Sequence, residues 1–154
     1  MSVLASATRR KTEALEVCVT GLSSDAHTWN LVFLQLLLED LGHRVINLGP
    51  CMPDSEIVEA CRRDSPDLLV VSTVNGHGFN AAGPLIAALR ARRELSELPV
   101  VIGGKLGITD SGQQQRVNDL IDAGYNAVFE EGAGLASFES FIGTLPAGGQ
   151  RGIV

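Results

Sequence analysis

The sequence predicts a flavodoxin-like, doubly wound α/β domain with five parallel strands in the order 2-1-3-4-5. Three observations carry that expectation. Short apolar runs alternate strictly with helical patterns along the 154 residues. The runs are continuously apolar, which marks parallel strands covered on both faces. The length suits about one domain of roughly 100–200 residues, and β/α units fill it from Glu16 onward.

Each element has its own signal. Glu16–Gly21 (EVCVTG) reads as the first strand. Thr28–Leu41 follows as a helix, apolar nearly all round and therefore expected to be deeply buried, with Gly42 as its stop. Arg44–Leu48 is the second strand. Asp54 in P-D-S-E is the expected cap of a helix running to about Arg63. Leu68–Ser72 is the third strand. Asn80–Arg93 is a helix with Pro84 in its first turn, where proline is tolerated. Val100–Gly103 is the fourth strand, a polar helix covers Gln113–Ala123, Ala127–Phe129 is the fifth strand, and Leu135–Leu145 closes the fold. Residues 1–15 are expected to be a flexible leading segment, 16–146 the domain, and 147–154 a frayed tail.

Composition narrows the function classes. Acidic residues outnumber basic ones by 18 to 12, a net charge of −6, the wrong balance for a phosphate-binding surface. No nucleic acid is expected as partner. No apolar run reaches the ~20 residues of a membrane span, and the first residues lack a signal-peptide core, so a cytoplasmic protein away from the membrane is expected. Cys18, Cys51 and Cys61 are odd in number and lack C-x-x-C spacing. They read as reduced thiols, each a small buried apolar residue, rather than a disulfide frame or zinc ribbon.

In this strand order, ligands bind beyond the carboxyl ends of the strands, where the first and third diverge. The loops there hold Leu22–Thr28, Ser72–Asn80 and Gly103–Gly107. In the first, Asp25 and His27 stand two apart. The carboxylate can hold one imidazole nitrogen so that the other faces a metal; alternatively, Asp25 caps the helix and His27 is a surface residue. In the second, Ser72 and Thr73 bring hydroxyls to the strand end, and Gly76 and Gly78 allow close backbone approach, as an ordinary glycine-rich connection also would. His77 lies near the switch point or is simply solvated. In the third, Gly103 and Gly104 let something bulky lie on bare backbone, and Lys105 meets either an anion or water. His43 lies at the opposite end of the sheet and is expected to be structural.

Other uses of this fold lose residues at the same positions. A receiver domain needs an Asp ending the third strand, where Ser72 stands, and a late Lys, whereas Lys105 is the last in the chain. A flavin-phosphate loop wants hydroxyls and a Gly where Asp25, Ala26, His27 and Trp29 lie. Neither a Walker motif nor a G-x-G-x-x-G fingerprint is present.

These residues resemble a cobalamin-binding domain, most closely the small subunit of glutamate mutase (methylaspartate mutase). The family motif D-x-H-x-x-G corresponds to Asp25-Ala26-His27-Thr28-Trp29-Asn30, S-x-L to Ser72-Thr73-Val74, and G-G to Gly103-Gly104. The match runs over about Glu16–Gly132. Asn30 replaces the motif glycine, and Val74 replaces leucine. The resemblance implies a cofactor site formed by Ser23, Ser24, Asp25, Ala26, His27, Thr28, Trp29, Asn30, Ser72, Thr73, Val74, Asn75, Gly76, Gly103, Gly104 and Lys105. It implies His27 as the lower axial ligand to the cobalt of adenosylcobalamin and Asp25 as the group that orients it. The displaced base would lie in a slot between the sheet and the first helix, bonded by Ser72, with Gly103 and Gly104 leaving room. No residue of this chain is expected to act in catalysis beyond cofactor ligation. The implied reaction is radical interconversion of L-glutamate and L-threo-3-methylaspartate, together with a large barrel-type subunit in a heterotetramer of two small and two large chains. The alternatives are a related mutase acting on another glutamate-like acid, a corrinoid carrier and a cobalamin-sensing module. Carriers usually have a helical cap before the domain, and only about fifteen residues precede the first strand here.

Overall fold

Five strands form one parallel sheet in the order β2-β1-β3-β4-β5, as the sequence predicts. They are β1 (Glu16–Gly21), β2 (Arg44–Gly49), β3 (Leu68–Thr73), β4 (Val100–Gly104) and β5 (Ala127–Glu130). Helices α1 (Leu31–Asp40), α2 (Asp54–Asp64), α3 (Gly78–Arg90), α4 (Gln113–Ala123) and α5 (Ala136–Gly143) connect and cover them, with a short 3-10 turn at Arg93–Leu95. The computed structural model describes residues 14–21, 31–73, 78–104, 113–130 and 136–145.

The period of two along each strand sorts side chains into two cores. Cys18, Leu69, Val71, Val100 and Ile102 face α2 and α3 and pack on Ile57, Cys61, Leu85 and Leu89. Val17, Val19, Leu68, Val70 and Val101 face α1 and α5 and pack on Leu34, Leu38, Phe138 and Ile142. The central strands are buried on both sides, which is why they read as unbroken apolar runs. Edge strand β2 alternates exposed and half-buried residues over Arg44–Asn47, and its pairing with β1 shifts register between Val19 and Thr20 of β1.

Four local expectations need correction. Helix α1 is not buried all round. Lying on one sheet face, it buries Leu34 and Leu38, one turn apart, and leaves Val32, Phe33 and Leu36 at 59%, 42% and 60% exposure. Asp54 does not cap α2. Pro53, already extended at φ −63° and ψ 147°, is the N-cap, with no side-chain cap bond, and its carbonyl accepts from the Glu56 and Ile57 amides. Asp54 and Glu56 in the first turn still complement the helix dipole. Helix α3 begins at Gly78, so Pro84 lies in its second turn rather than its first. Finally, Cys51 is exposed, with φ 55° in the loop after β2. Cys18 and Cys61 are buried as expected. The Cys18 thiol is pushed well up by its hydrogen bond with Cys61 and by burial, so it stays protonated.

Candidate functional site

The carboxyl edge of the sheet is assembled by register. Gly21 of β1 lies beside Ser72 of β3, Ser72 beside Gly103 of β4, and Gly103 beside Phe129 of β5. Parallel partners project to the same side, and this row has the parity of Val19, Val70 and Val101. It therefore faces the layer formed by α1 and α5. Its middle carries one hydroxyl, Ser72, between two positions without side chains. A Cβ at Gly21 or Gly103 would project into the same strip. The row is sheltered: Ser72 is 1% and Phe129 7% exposed.

The two glycines of the G-G pair do different work. Gly103 has the parity of the row and keeps it bare. Gly104, beside Thr73 and Glu130, has φ +111°, a conformation that L side chains rarely adopt. One glycine supplies room and the other redirects the chain.

The sequence places Ser72, Thr73, Gly103 and Gly104 at one edge, and the structure brings them side by side. Ser23, Ser24, Asp25, Ala26, His27, Thr28, Trp29 and Asn30 lie outside the described residues, as do Val74, Asn75, Gly76, His77 and Lys105. The described chain leaves β1 at Gly21 and resumes at Leu31 of α1. The Met52 amide donates to the Gly21 carbonyl at 3.2 Å and ties the loop after β2 to the same edge. At the entrance to α2, burial raises the Asp54 carboxyl above its usual range.

His43 lies at the other end. It is 5% exposed, and its Nδ1 accepts the Leu15 amide at 3.0 Å. Burial lowers its pKa, consistent with a neutral ring that accepts at Nδ1. Its role is structural, as expected.

Sequence reasoning missed Gly21 and Phe129 as members of the row. Each ends a strand that the sequence marks, so aligning strand ends would have found them. Phe129 is held edge-on by Phe138 and Phe141, with ring centroids 5.5 Å and 6.2 Å away.

Among the described residues, no cluster of three or more His, Cys, Asp or Glu could hold a metal ion. A bare, sheltered strip with one hydroxyl suits a flat aromatic group. The residues present are compatible with a corrinoid at this edge.

The model of the B12 binding domain family matches residues 15–132. The glutamate mutase sigma subunit of Fusobacterium nucleatum is 22% identical over 118 residues, 76% of this chain and 85% of that protein. Sigma subunit 1 of Haloarcula marismortui is 26% identical over 111 residues, 71% of each chain. Among solved structures, the monomethylamine corrinoid protein of Methanosarcina barkeri superposes with a TM-score of 0.63 at 19% identity, over 91% of this chain and 65% of that one. A cobalamin-binding protein of Desulfitobacterium hafniense gives 0.58 at 21%, over 76% of this chain and only 53% of its own. A receiver domain of Syntrophus aciditrophicus gives 0.61 at 16%, over 84% of this chain and 87% of that domain. At these identities the superpositions establish the fold alone. Among the described residues no helix is long and apolar enough to cross a membrane.

Proposed function

The chain belongs to the B12 binding domain family, and from that premise we propose that it is the cobalamin-binding small subunit of an adenosylcobalamin-dependent carbon-skeleton mutase of the glutamate mutase type. The observation that carries this reading is the row Gly21–Ser72–Gly103, a bare strip with a single hydroxyl at the carboxyl edge. The distant likeness to two glutamate mutase sigma subunits directs it to that reaction class.

Each part of the chain has a task in this reading. His27 would hold the cobalt through one imidazole nitrogen. Asp25 accepts a hydrogen bond from the other nitrogen, fixing the ring's orientation and raising its basicity. Ser72 would hydrogen-bond the bound cofactor, and Gly103 would leave room for it. When bound, adenosylcobalamin would supply the radical that starts rearrangement of the substrate skeleton. The chain contributes binding, orientation and shelter from water, and the substrate lies on a larger partner subunit facing the same edge. Val32 and Phe33, in the first turn of α1 and therefore close to that edge, add apolar surface that such a partner would cover. A heterotetramer of two small and two large chains is the assembly the resemblance implies.

The test mixes the purified chain with adenosylcobalamin and a competent large subunit and measures conversion of L-glutamate to 3-methylaspartate. Turnover that requires all three components is the expected result. A complex that binds the cofactor but isomerises no glutamate-like acid contradicts the mutase assignment. The likeness to the monomethylamine corrinoid protein supports a second reading, a corrinoid carrier. That reading predicts methyl-group transfer to and from the bound cobalt, with no isomerisation.

A further inference from the structure

We infer that the outward face of α1 is a self-association surface: a second copy of this chain packs its own α1 antiparallel against it, with Leu36 at the two-fold axis. The inference stands apart from the corrinoid reading and concerns a different face of the molecule.

The helix period sets that face. Leu34 and Leu38 are buried against the sheet, and Val32 and Leu36 share the opposite side of α1, one turn apart. Val32 is 59% and Leu36 60% exposed, with Phe33 beside them at 42%. Among the described residues, no other helix exposes two large apolar side chains one turn apart. Helix α2 exposes Glu56, Glu59, Arg62 and Arg63 instead. An apolar stripe of this kind marks a contact surface. A larger partner facing the carboxyl edge meets the first turn of α1. Leu36 lies about 5.4 Å farther along the helix and is directed away from the sheet.

The charges at the helix ends commit the face to a second copy. The first turn of α1 holds no acidic residue and the last turn no basic one. The helix closes on exposed Glu39 and Asp40, at the end where the helix dipole disfavours negative charge. Among the described residues neither carboxylate is ion-paired, and Glu39 accepts the Gln35 side-chain amide at 3.2 Å. Antiparallel pairing about Leu36 sets Glu39 and Asp40 of each copy over the first turn of the other, the positive end of that helix. Parallel pairing would bring all four acids together. A stripe with a negative end and a positive end is complementary to itself under a two-fold rotation, as an isologous interface requires. The described helix is ten residues, about 15 Å long, so the contact falls short of the roughly 1,200–2,000 Å² of a stable interface. The association is therefore weak, with Kd between about 10 μM and 1 mM.

Sedimentation equilibrium of the full chain alone, from about 10 μM to 1 mM, tests this. A monomer–dimer equilibrium is expected. Leu36→Glu places two charges face to face at the axis and should raise Kd at least about tenfold. Asp40→Asn should raise it about twofold to fivefold by removing an attraction to the other copy's helix end. Ile121→Glu, which changes an exposed apolar residue on α4, should leave it within about twofold. Thermal melts establish that the variants fold. With Cys51→Ser removing the exposed native thiol, a short bis-maleimide should link Leu36→Cys chains into dimers. A chain that stays monomeric to about 1 mM, a dimer that survives Leu36→Glu, or equal weakening by Ile121→Glu overturns the inference. Tightening by Asp40→Asn, the mark of acids brought together, overturns it as well. None of these results bears on the corrinoid reading.

Discussion

The two edges of this sheet are built on opposite principles. At the amino edge, side chains tie the strands together. The Leu15 amide bonds His43, the Glu16 amide bonds the Asp67 carboxylate at 2.9 Å, and the Asn126 side chain accepts the Val100 amide at 2.9 Å. Arg90 fans across the carbonyls of Leu95, Leu98 and Gly124 and the Asn126 side chain. At the carboxyl edge β1, β2 and β4 end instead in Gly21, Gly49 and the Gly103–Gly104 pair, and β3 brings Ser72 among them. Among the described residues, one end is tied by side chains and the other is rich in glycine. The lesson is a division of labour: substitutions at the amino edge should report on stability, and substitutions at the carboxyl edge on binding.

The sharpest challenge to that division is Arg90→Ala. It removes a partly buried guanidinium that satisfies several carbonyls at once, and hydrogen bonds to charged groups are the costly ones to lose. We expect about 3–5 kcal/mol of destabilisation in urea unfolding, with corrinoid affinity unchanged in the population that remains folded. A selective loss of affinity would blur the comparison.

His43→Ala comes next, at about 1–3 kcal/mol for leaving the Leu15 amide without its buried acceptor. It also carries a pH signature. Burial lowers the pKa of the folded-state imidazole below its ordinary value near 6.5, so the unfolded chain takes up the proton first. The stabilisation is therefore present above that value and is lost as pH falls from about 6.5 toward the folded-state pKa. Unfolding measured across this window should show a fall on acidification that His43→Ala flattens.

At the other edge the expected stability effects shrink. Gly104→Ala forces a side chain into φ +111° and should cost about 1 kcal/mol, read as a lowered unfolding midpoint. Gly103→Ala, with no such backbone demand, should change stability by less than about 1 kcal/mol. It should weaken hydroxocobalamin about tenfold in an absorbance titration by filling the strip beside Ser72. Equal stability losses at the two glycines would erase the distinction between room and backbone conformation.

The amino acid sequence made most of the fold legible because doubly covered strands announce themselves. Runs such as Leu68–Val71 and Val100–Gly103 are apolar at every position, as strands of a parallel sheet buried on both faces require. What it could not convey depends on three dimensions. Val32 and Leu36 look as core-like as Leu34 and Leu38, and only the placement of α1 on one face of the sheet separates them. Asp54 is a good capping residue by type, but Pro53 already sets the extended entry to α2. Gly103 and Gly104 look equivalent in one dimension, and only the parity of β4 and a positive φ tell them apart. Phe129 belongs with Ser72 only through register across β4, which no local pattern encodes. Asp25 and His27, the pair most legible as chemistry, lie outside the described residues.

The most direct measurement of the central claim is the electron spin resonance spectrum of cob(II)alamin bound to the full chain, grown with ordinary or nitrogen-15-labelled histidine. The account predicts nitrogen superhyperfine splitting that changes from triplet to doublet on labelling; His27→Ala abolishes that response to the label, while His43→Ala and His77→Ala leave it intact. A bound cobalt signal that labelling does not alter would contradict it.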